Sequence, residues 1–354
     1  METLPYMPPV LGHSLTCMAL DHRLSQLPRS GRDADNVSIV RSKILRHRGI
    51  AIKGLSEAIA DERTRMTDLT IISTLFFMFI DIRVNQSHWR QHFDGATELI
   101  LLRGGPEKFF RLLRYYKMLI ASYVVVGVMA NTTSPAQNLA APAFHMKHIK
   151  LISQYYDDGL FPLLLCPPSL FLNIIEINYL RHQAAETPSA LDSLRTRAQE
   201  VLQHVTVFSA AQHAASVPLS TGGLLLSGVY QSAVVVYCIS SLQSLGVLPY
   251  SPSMRDTKAR HGKRLLMLLE EALTSLSLKH IMIKCMVWPL IMAGTQASLG
   301  SPAQKAFVER TLMEMSYEHG SRLPMLAREV LNKFWASTNN GWDDCFPQPY
   351  AFLA

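Results

Sequence analysis

The chain offers almost nothing to catalysis. Its glycine pairs, Gly104-Gly105 and Gly222-Gly223, are not followed by Lys-Ser or Lys-Thr, so no P-loop is present to cradle phosphate. No G-x-S-x-G nucleophile elbow occurs. Cysteine is scarce and scattered: Cys17, Cys166, Cys238, Cys285 and Cys345 lie far apart and are odd in number. That spacing excludes a disulfide framework and reads as reduced, buried thiols. Alternating β-type runs are nearly absent, and no repeat of fixed period appears, which removes sandwiches, barrels and solenoids. No basic segment follows Met1, and Leu15 to Leu20 is too short for the apolar core of a secretory signal. Charge is thin at 17%, and no Asp, Glu, Lys or Arg occurs between Glu200 and Arg255.

What remains is apolar and helical. A hydrophobic share of 48% over 354 residues supplies a sizeable core for one large domain or two ordinary ones. A net charge of +7 is compatible with a polyanionic partner but too small to argue for one. The uncharged stretch holds Gly222 to Leu248, long enough to span a bilayer, yet seven Ser and Gln residues interrupt it. No basic cluster flanks it closely, so it reads as a deeply buried core helix and not as a membrane span.

Periodicity predicts helices over Leu11–Leu24, Val37–Ala60 and Thr67 to about Val84, with Thr67 or Asp68 as a cap. Others follow over Trp89–Arg103, Pro106 to about Ala130, Leu170–Ala185 and Pro188 to about Ala215. The C-terminal part continues with Gly222–Leu248, Lys258–Leu278, a helix from about Leu278 kinked at Pro289, Ala303–Glu318 and Leu323–Ser337. Asn131 to Gly159 is the least regular segment and, with Ser216–Gly223, the expected mobile join. The fold class is all-α, a single large irregular domain of about ten helices. Residues 1–35 form a short N-terminal segment with one helix, 36–342 the body, and 343–354 a C-terminal tail.

The central helix is WRQHFDGATELILLRGGP, Trp89 to Pro106. Trp89, Phe93, Ala96 and Ile100 share one face; Leu99, Leu101 and Leu102 widen the stripe and suggest burial on more than one side. Gly95 in mid-helix suggests that something packs close there, so a larger residue should overpack it. Gly104 or Gly105 can take the left-handed cap and Pro106 stops continuation. Trp89, His92, Gly95, Ala96, Leu99, Ile100, Arg103, Gly104 and Gly105 resemble the W-x-x-H-x-x-G-A-x-x-L-I-x-x-R-G-G signature of the fungal-specific transcription factor domain. The resemblance extends from about Met7 to the C-terminus. It runs through the segment around Leu55, through Cys166, Pro168, Leu170, Glu176, Ile177 and Asn178, and through Trp288-Pro289-Leu290, Ala293-Gly294, Trp335 and Trp342.

The resemblance implies a nuclear, transcription regulator-like protein that controls fungal metabolic or secondary-metabolite biosynthetic genes through its helical regulatory domain. The family's DNA-binding head needs six closely spaced cysteines for two zinc ions. Only Cys17 precedes Cys166, so the head is expected to be absent and the chain to begin just inside the regulatory region. DNA contact is then expected to be weak and non-specific. A different reading is an interaction module that does not bind DNA and dimerises with a full-length regulator; a helical enzyme comes third. The partners left open are another protein, a second copy, or a small-molecule effector.

Other constellations give no site. His88 and His92 have ligand spacing but lack the intervening Glu and a third ligand, so His92 reads as a buried hydrogen-bonding residue. His145 and His148 near Asp157 and Asp158 read as scattered histidines. Asp157-Asp158 lacks the later acidic residue and downstream triad of a magnesium-dependent terpene cyclase. No metal, cofactor or catalytic residue is expected. The run Arg41, Lys43, Arg46, His47, Arg48 and Lys53 has no acidic residue from Val37 to Ser56. Arg41, Lys43, Arg46, Arg48 and Lys53 are the groups available for weak nucleic-acid contact. Arg41 and Arg48 share a face while Lys43 and Arg46 point elsewhere, so no single stripe forms.

Overall fold

The computed structural model describes residues 8–26, 34–84, 88–112, 117–159, 165–216, 222–274, 283–298 and 300–353. Among these residues there are seventeen α-helices and no strand, so the protein is all-α. In order they are α1 (Pro9–Gln26), α2 (Ala34–Ala60), α3 (Asp68–Val84), α4 (Trp89–Leu102), α5 (Pro106–Leu112) and α6 (Lys117–Thr132). Next come α7 (Pro142–Lys147), α8 (Ile149–Gly159), α9 (Pro168–Glu186), α10 (Leu191–Val207), α11 (Ala210–Ser216) and α12 (Gly223–Ser244). The last are α13 (Pro252–Thr274), α14 (Val287–Ala297), α15 (Pro302–His319), α16 (Leu323–Ala336) and α17 (Trp342–Cys345). The count exceeds ten because expected elements are divided. Residues 188–215 give α10 and α11 on either side of Phe208-Ser209, and residues 131–159 hold α7 and α8. The middle of the second expected join, 217–221, and the expected helix start near Leu278 lie outside the described residues.

The helices fall into two compact units, residues 1–123 with 316–323, and residues 124–315 with 324–354. In the first unit, α1, α2 and α3 pack on one another around Cys17, Ala51, Leu55, Phe77 and Ile80. Gly54 marks the close approach of α2 to α1, since a Cβ there would lie 2.7 Å from Val10 Cγ2. Thr67 is the N-cap of α3: its hydroxyl oxygen accepts the Thr70 N–H at 3.3 Å.

Helix α4 lies on α3 and buries Trp89, Phe93, Ala96, Thr97, Leu99 and Ile100. Phe93 stacks on Tyr123 with centroids 4.7 Å apart, and Thr97 hydrogen-bonds the Tyr123 hydroxyl at 2.6 Å. The apolar face is narrower than the pattern suggests, because Leu101 and Leu102 are 46% and 67% exposed. The helix closes in a Schellman turn, Gly105 N–H to Ile100 O and Gly104 N–H to Leu101 O, both 3.0 Å. Gly104 carries φ of 101° and Gly105 φ of 89°, the left-handed region where a side chain is strained.

Gly95 corrects an expectation: a Cβ built there meets nothing within 4 Å, so the residue is not a packing contact. Its helical backbone has no use for glycine's freedom. Gly95→Ala is therefore expected to raise stability by about 0.5–1 kcal/mol through the unfolded chain and helix propensity. Urea denaturation of the two proteins checks this; a less stable alanine variant would show that space at Gly95 is needed.

The second unit is built around α12. Eighteen of its 22 residues are buried, which settles its place as the core element, and α9, α10, α11, α13, α14 and α17 all pack against it. Its length and composition would allow a membrane crossing, but most of it is inside this unit. Helix α13 begins earlier than its charge pattern suggests, with Pro252 as first residue and the Ser251 hydroxyl capping the Met254 N–H. Pro289 makes no kink. It sits in the first turn of α14, where its missing N–H has no helical acceptor to lose.

Candidate functional site

The five cations named from sequence lie along α2, in the first unit. Arg41, Lys43, Arg46 and Lys53 are exposed, and Lys53 stands 4.0 Å from Glu57 one turn on. Before and among them lie the exposed apolar residues Ile39, Leu45 and Ile50. Arg48 differs from the other four cations. Its guanidinium reaches inward to Asp81 on α3, with Nε at 3.1 Å and Nη2 at 2.9 Å from Oδ1.

Asp81 is fully buried and also accepts from His92 Nε2 at 3.2 Å. Burial pushes its carboxyl up, but the His92 hydrogen bond and the charge and hydrogen bonds of Arg48 outweigh this and hold it below the ordinary range. His92 therefore holds a carboxylate, and its ring rests on Phe77 with centroids 5.4 Å apart. At the other end of α4, Arg103 pairs with Asp68 in the first turn of α3. The polar members of the Trp89–Gly105 pattern thus clamp α4 to α3 at two places, and Arg48 ties α2 to the first of them through Asp81. Among the described residues, no group of three His, Cys, Asp or Glu side chains is placed to share a metal ion.

The second unit holds a larger polar assembly that sequence reasoning missed. Arg181 on α9 is wholly buried. Its Nη1 donates to Asn131 O at 2.7 Å and Tyr237 Oη at 3.2 Å; its Nη2 donates to Ser134 O at 2.7 Å and Asp343 Oδ1 at 2.9 Å. Asp343 Oδ2 accepts the Ala136 N–H at 2.9 Å. One turn before Arg181 on α9, Asn178 donates to Val128 O at 2.9 Å and accepts from the Tyr237 hydroxyl.

The turn after α6 is the centre of this assembly. Trp288 Nε1 meets the Thr132 hydroxyl at 2.8 Å, and Trp342 Nε1 meets Thr132 O at 2.9 Å. Thr133 exchanges two hydrogen bonds with the Tyr350 backbone, at 2.8 and 3.1 Å. The segment 131–134, expected to be a loose join, is buried and tied at each residue. Its Asn, Thr and Ser side chains disfavour helix continuation because they bond backbone groups, and here those bonds are the structure. The residues after 342 are likewise seated, with Phe346, Ala351 and Phe352 buried. A sequence signal for Arg181 existed: it follows Ile174, Ile177 and Asn178 at helical spacing, a lone charge on an apolar face.

The same unit contains a cavity of about 340 Å³, near the lower end for small-molecule sites. It is framed by the last turns of α12 and α14, the first turns of α13, Phe334 on α16 and the segment from Asn340 to Cys345. Lys258 is the one charged residue in its lining.

Comparison with known proteins settles what these residues compose. The model of the fungal specific transcription factor domain matches residues 3–351. The chain belongs to that family. A relative, the phomenoic acid biosynthesis cluster-specific transcriptional regulator of Leptosphaeria maculans, is 35% identical over 351 residues, 98% of this chain and 66% of the relative. The chain thus spans a little under two thirds of that relative's length. No solved structure matches it. The fungal specific transcription factor domain accounts for both units, and its match takes in α1 and the segment after Trp342. In this domain the Trp89–Gly105 signature is a structural clamp: Trp89 and Phe93 fill the core, and His92 and Arg103 bind carboxylates.

Proposed function

We propose that the chain acts in the nucleus as the helical regulatory part of a fungal transcription regulator, directed at the genes of a biosynthetic pathway. The family match over residues 3–351 carries this reading. The 35% identical relative is a regulator specific to a biosynthesis cluster, and that supports the biosynthetic target. In this reading the chain is not an enzyme. Deleting its coding sequence from the fungus that encodes it is expected to lower the transcripts of one co-located biosynthetic gene set and to spare the rest. An unchanged transcriptome would overturn the reading.

The basic run named from sequence lies on α2, in the first unit. Arg41, Lys43, Arg46 and Lys53 are exposed there, while Arg48 is held by Asp81. Any binding is therefore expected to be indifferent to sequence, with a dissociation constant of about 10⁻⁴–10⁻⁶ M at physiological salt. With about three phosphates neutralised by Arg41, Lys43 and Arg46, log K should fall against log salt with a slope of about −3. Arg41→Glu with Arg46→Glu should weaken it. A mobility-shift titration on random and promoter DNA checks this, and submicromolar, sequence-selective binding would contradict it.

The alternative of a module that acts by pairing with another regulator draws on the same helix. Ile39, Leu45 and Ile50 lie exposed before and between the cations of α2. Sedimentation of the purified chain with and without a full-length family member separates this reading from the first.

A further inference from the structure

We propose that the cavity of the second unit is a binding site for a small organic acid carrying hydroxyl groups, with Lys258 as the counter-ion of its carboxylate. The binding claim concerns this unit alone; only its link to gene control rests on the function proposed above.

The first observation is charge. Among thirteen residues lining the cavity, Lys258 alone is charged, and no carboxylate stands within ion-pair distance of it among the described residues. Burial pushes its ammonium group down from the ordinary lysine value, and an anion in the cavity would restore the charged form. A half-buried ammonium facing the cavity without a carboxylate beside it is less well solvated than one at the open surface, and it favours an incoming anion.

The second observation is the hydrogen-bonding sense of the walls. Three lining hydroxyls spend their protons within the protein. Ser244 donates to Ser241 O at 3.2 Å, Thr295 to Met292 O at 2.8 Å, and Ser298 to Thr295 O at 2.9 Å. Gln243 points its amide nitrogen at Pro249 O, 2.9 Å away. What these groups leave to a ligand is oxygen lone pairs, which call for hydroxyl donors, while the Ser240 hydroxyl, which accepts from Gln296 Nε2 at 3.3 Å, keeps its proton for an acceptor. A bare phosphate, which only accepts at most of its surface, would face acceptors at Gln243, Ser244, Thr295 and Ser298. Phe334 and Trp342 supply apolar wall, which suits a carbon frame. The complement is a carboxylate at Lys258, hydroxyls along α12 and α14, and a ring or short chain against Trp342.

The test uses the purified full chain, with quinate and mandelate as probes and their methyl esters and inorganic phosphate as controls. Titration calorimetry near neutral pH is expected to show at least one acid binding with a dissociation constant of about 1 mM or tighter. The matching ester and phosphate should bind at least about tenfold more weakly, as should Lys258→Gln, while Lys258→Arg retains binding. A bound acid should also shield Lys258 of the unmodified protein from acetylation, read by peptide mass spectrometry, so the test does not depend on a variant folding. Failure of both acids to bind would overturn the proposal. So would an ester that binds as well as its acid, or Lys258 reacting equally with and without acid. Binding in vitro without any effect of the acid on transcripts would count against the regulatory reading and leave the site standing.

Discussion

Arg181→Met is expected to destabilise the protein by about 3–5 kcal/mol, the cost of stripping two buried carbonyls and a half-buried carboxylate of one shared charged donor. Methionine fills much of the same volume, so the loss is not one of packing. It comes from the buried carbonyls of Asn131 and Ser134, which lose donors at 2.7 Å each, and from the half-buried Asp343, which loses one at 2.9 Å. Total stabilities run at about 5–15 kcal/mol, so this single change removes a large fraction. Arg181→Lys should recover only part of it, because an ammonium cannot spread along acceptors that a planar guanidinium reaches together. Urea denaturation followed by circular dichroism gives both values. A methionine variant within about 1 kcal/mol of the parent would show that the assembly is incidental to stability.

Asp81→Asn is the second large effect, expected at about 2–3 kcal/mol. The amide keeps the shape but takes away the charge that Arg48 and His92 both bind. The same carboxyl gives the protein an acid dependence with a defined sign. Its folded value lies below the ordinary one, so the folded state binds the proton less readily than the unfolded chain. The stabilisation is complete above the unfolded carboxyl value of about 4 and is lost as pH falls from there through the lower folded value. Asp81→Asn should flatten the acid limb of the stability profile in that window and leave its shape near neutrality unchanged. An unaltered acid limb would place the acid sensitivity elsewhere.

Where side chains act through burial alone, the chain was readable in advance. The helix class, the Thr67 cap, the Gly104-Gly105 stop and the core role of the uncharged stretch follow from spacing and composition, and the structure has all four. The errors share a physical origin, since each depends on what a residue faces and not on what it is. Leu101 and Leu102 look like core but complete a turn that faces outward. Gly95 looks like a close approach, while the actual one lies at Gly54, against Val10. Asn131 to Ser134 look like a loop because Asn, Thr and Ser are poor in helices, yet they are buried and hydrogen-bonded at each residue. Arg48 looks like a phosphate-facing cation until Asp81, 33 positions away, comes beside it. The cavity at Lys258 was unreadable because its lining comes from residues spread from Ser240 to Cys345.

The position of α12 in the chain has a consequence for synthesis. As the polypeptide leaves the ribosome, α9, α10 and α11 are already made when this uncharged helix emerges, but α13, α14 and α17 are not. For the time needed to make roughly a hundred more residues, at about 5–20 residues per second, one side of α12 has no cover. A nascent chain paused there would present to chaperones and to the secretory targeting machinery a segment that passes for a membrane anchor. A premature stop between α12 and α13 should therefore yield an insoluble or mistargeted fragment, and not a smaller working domain.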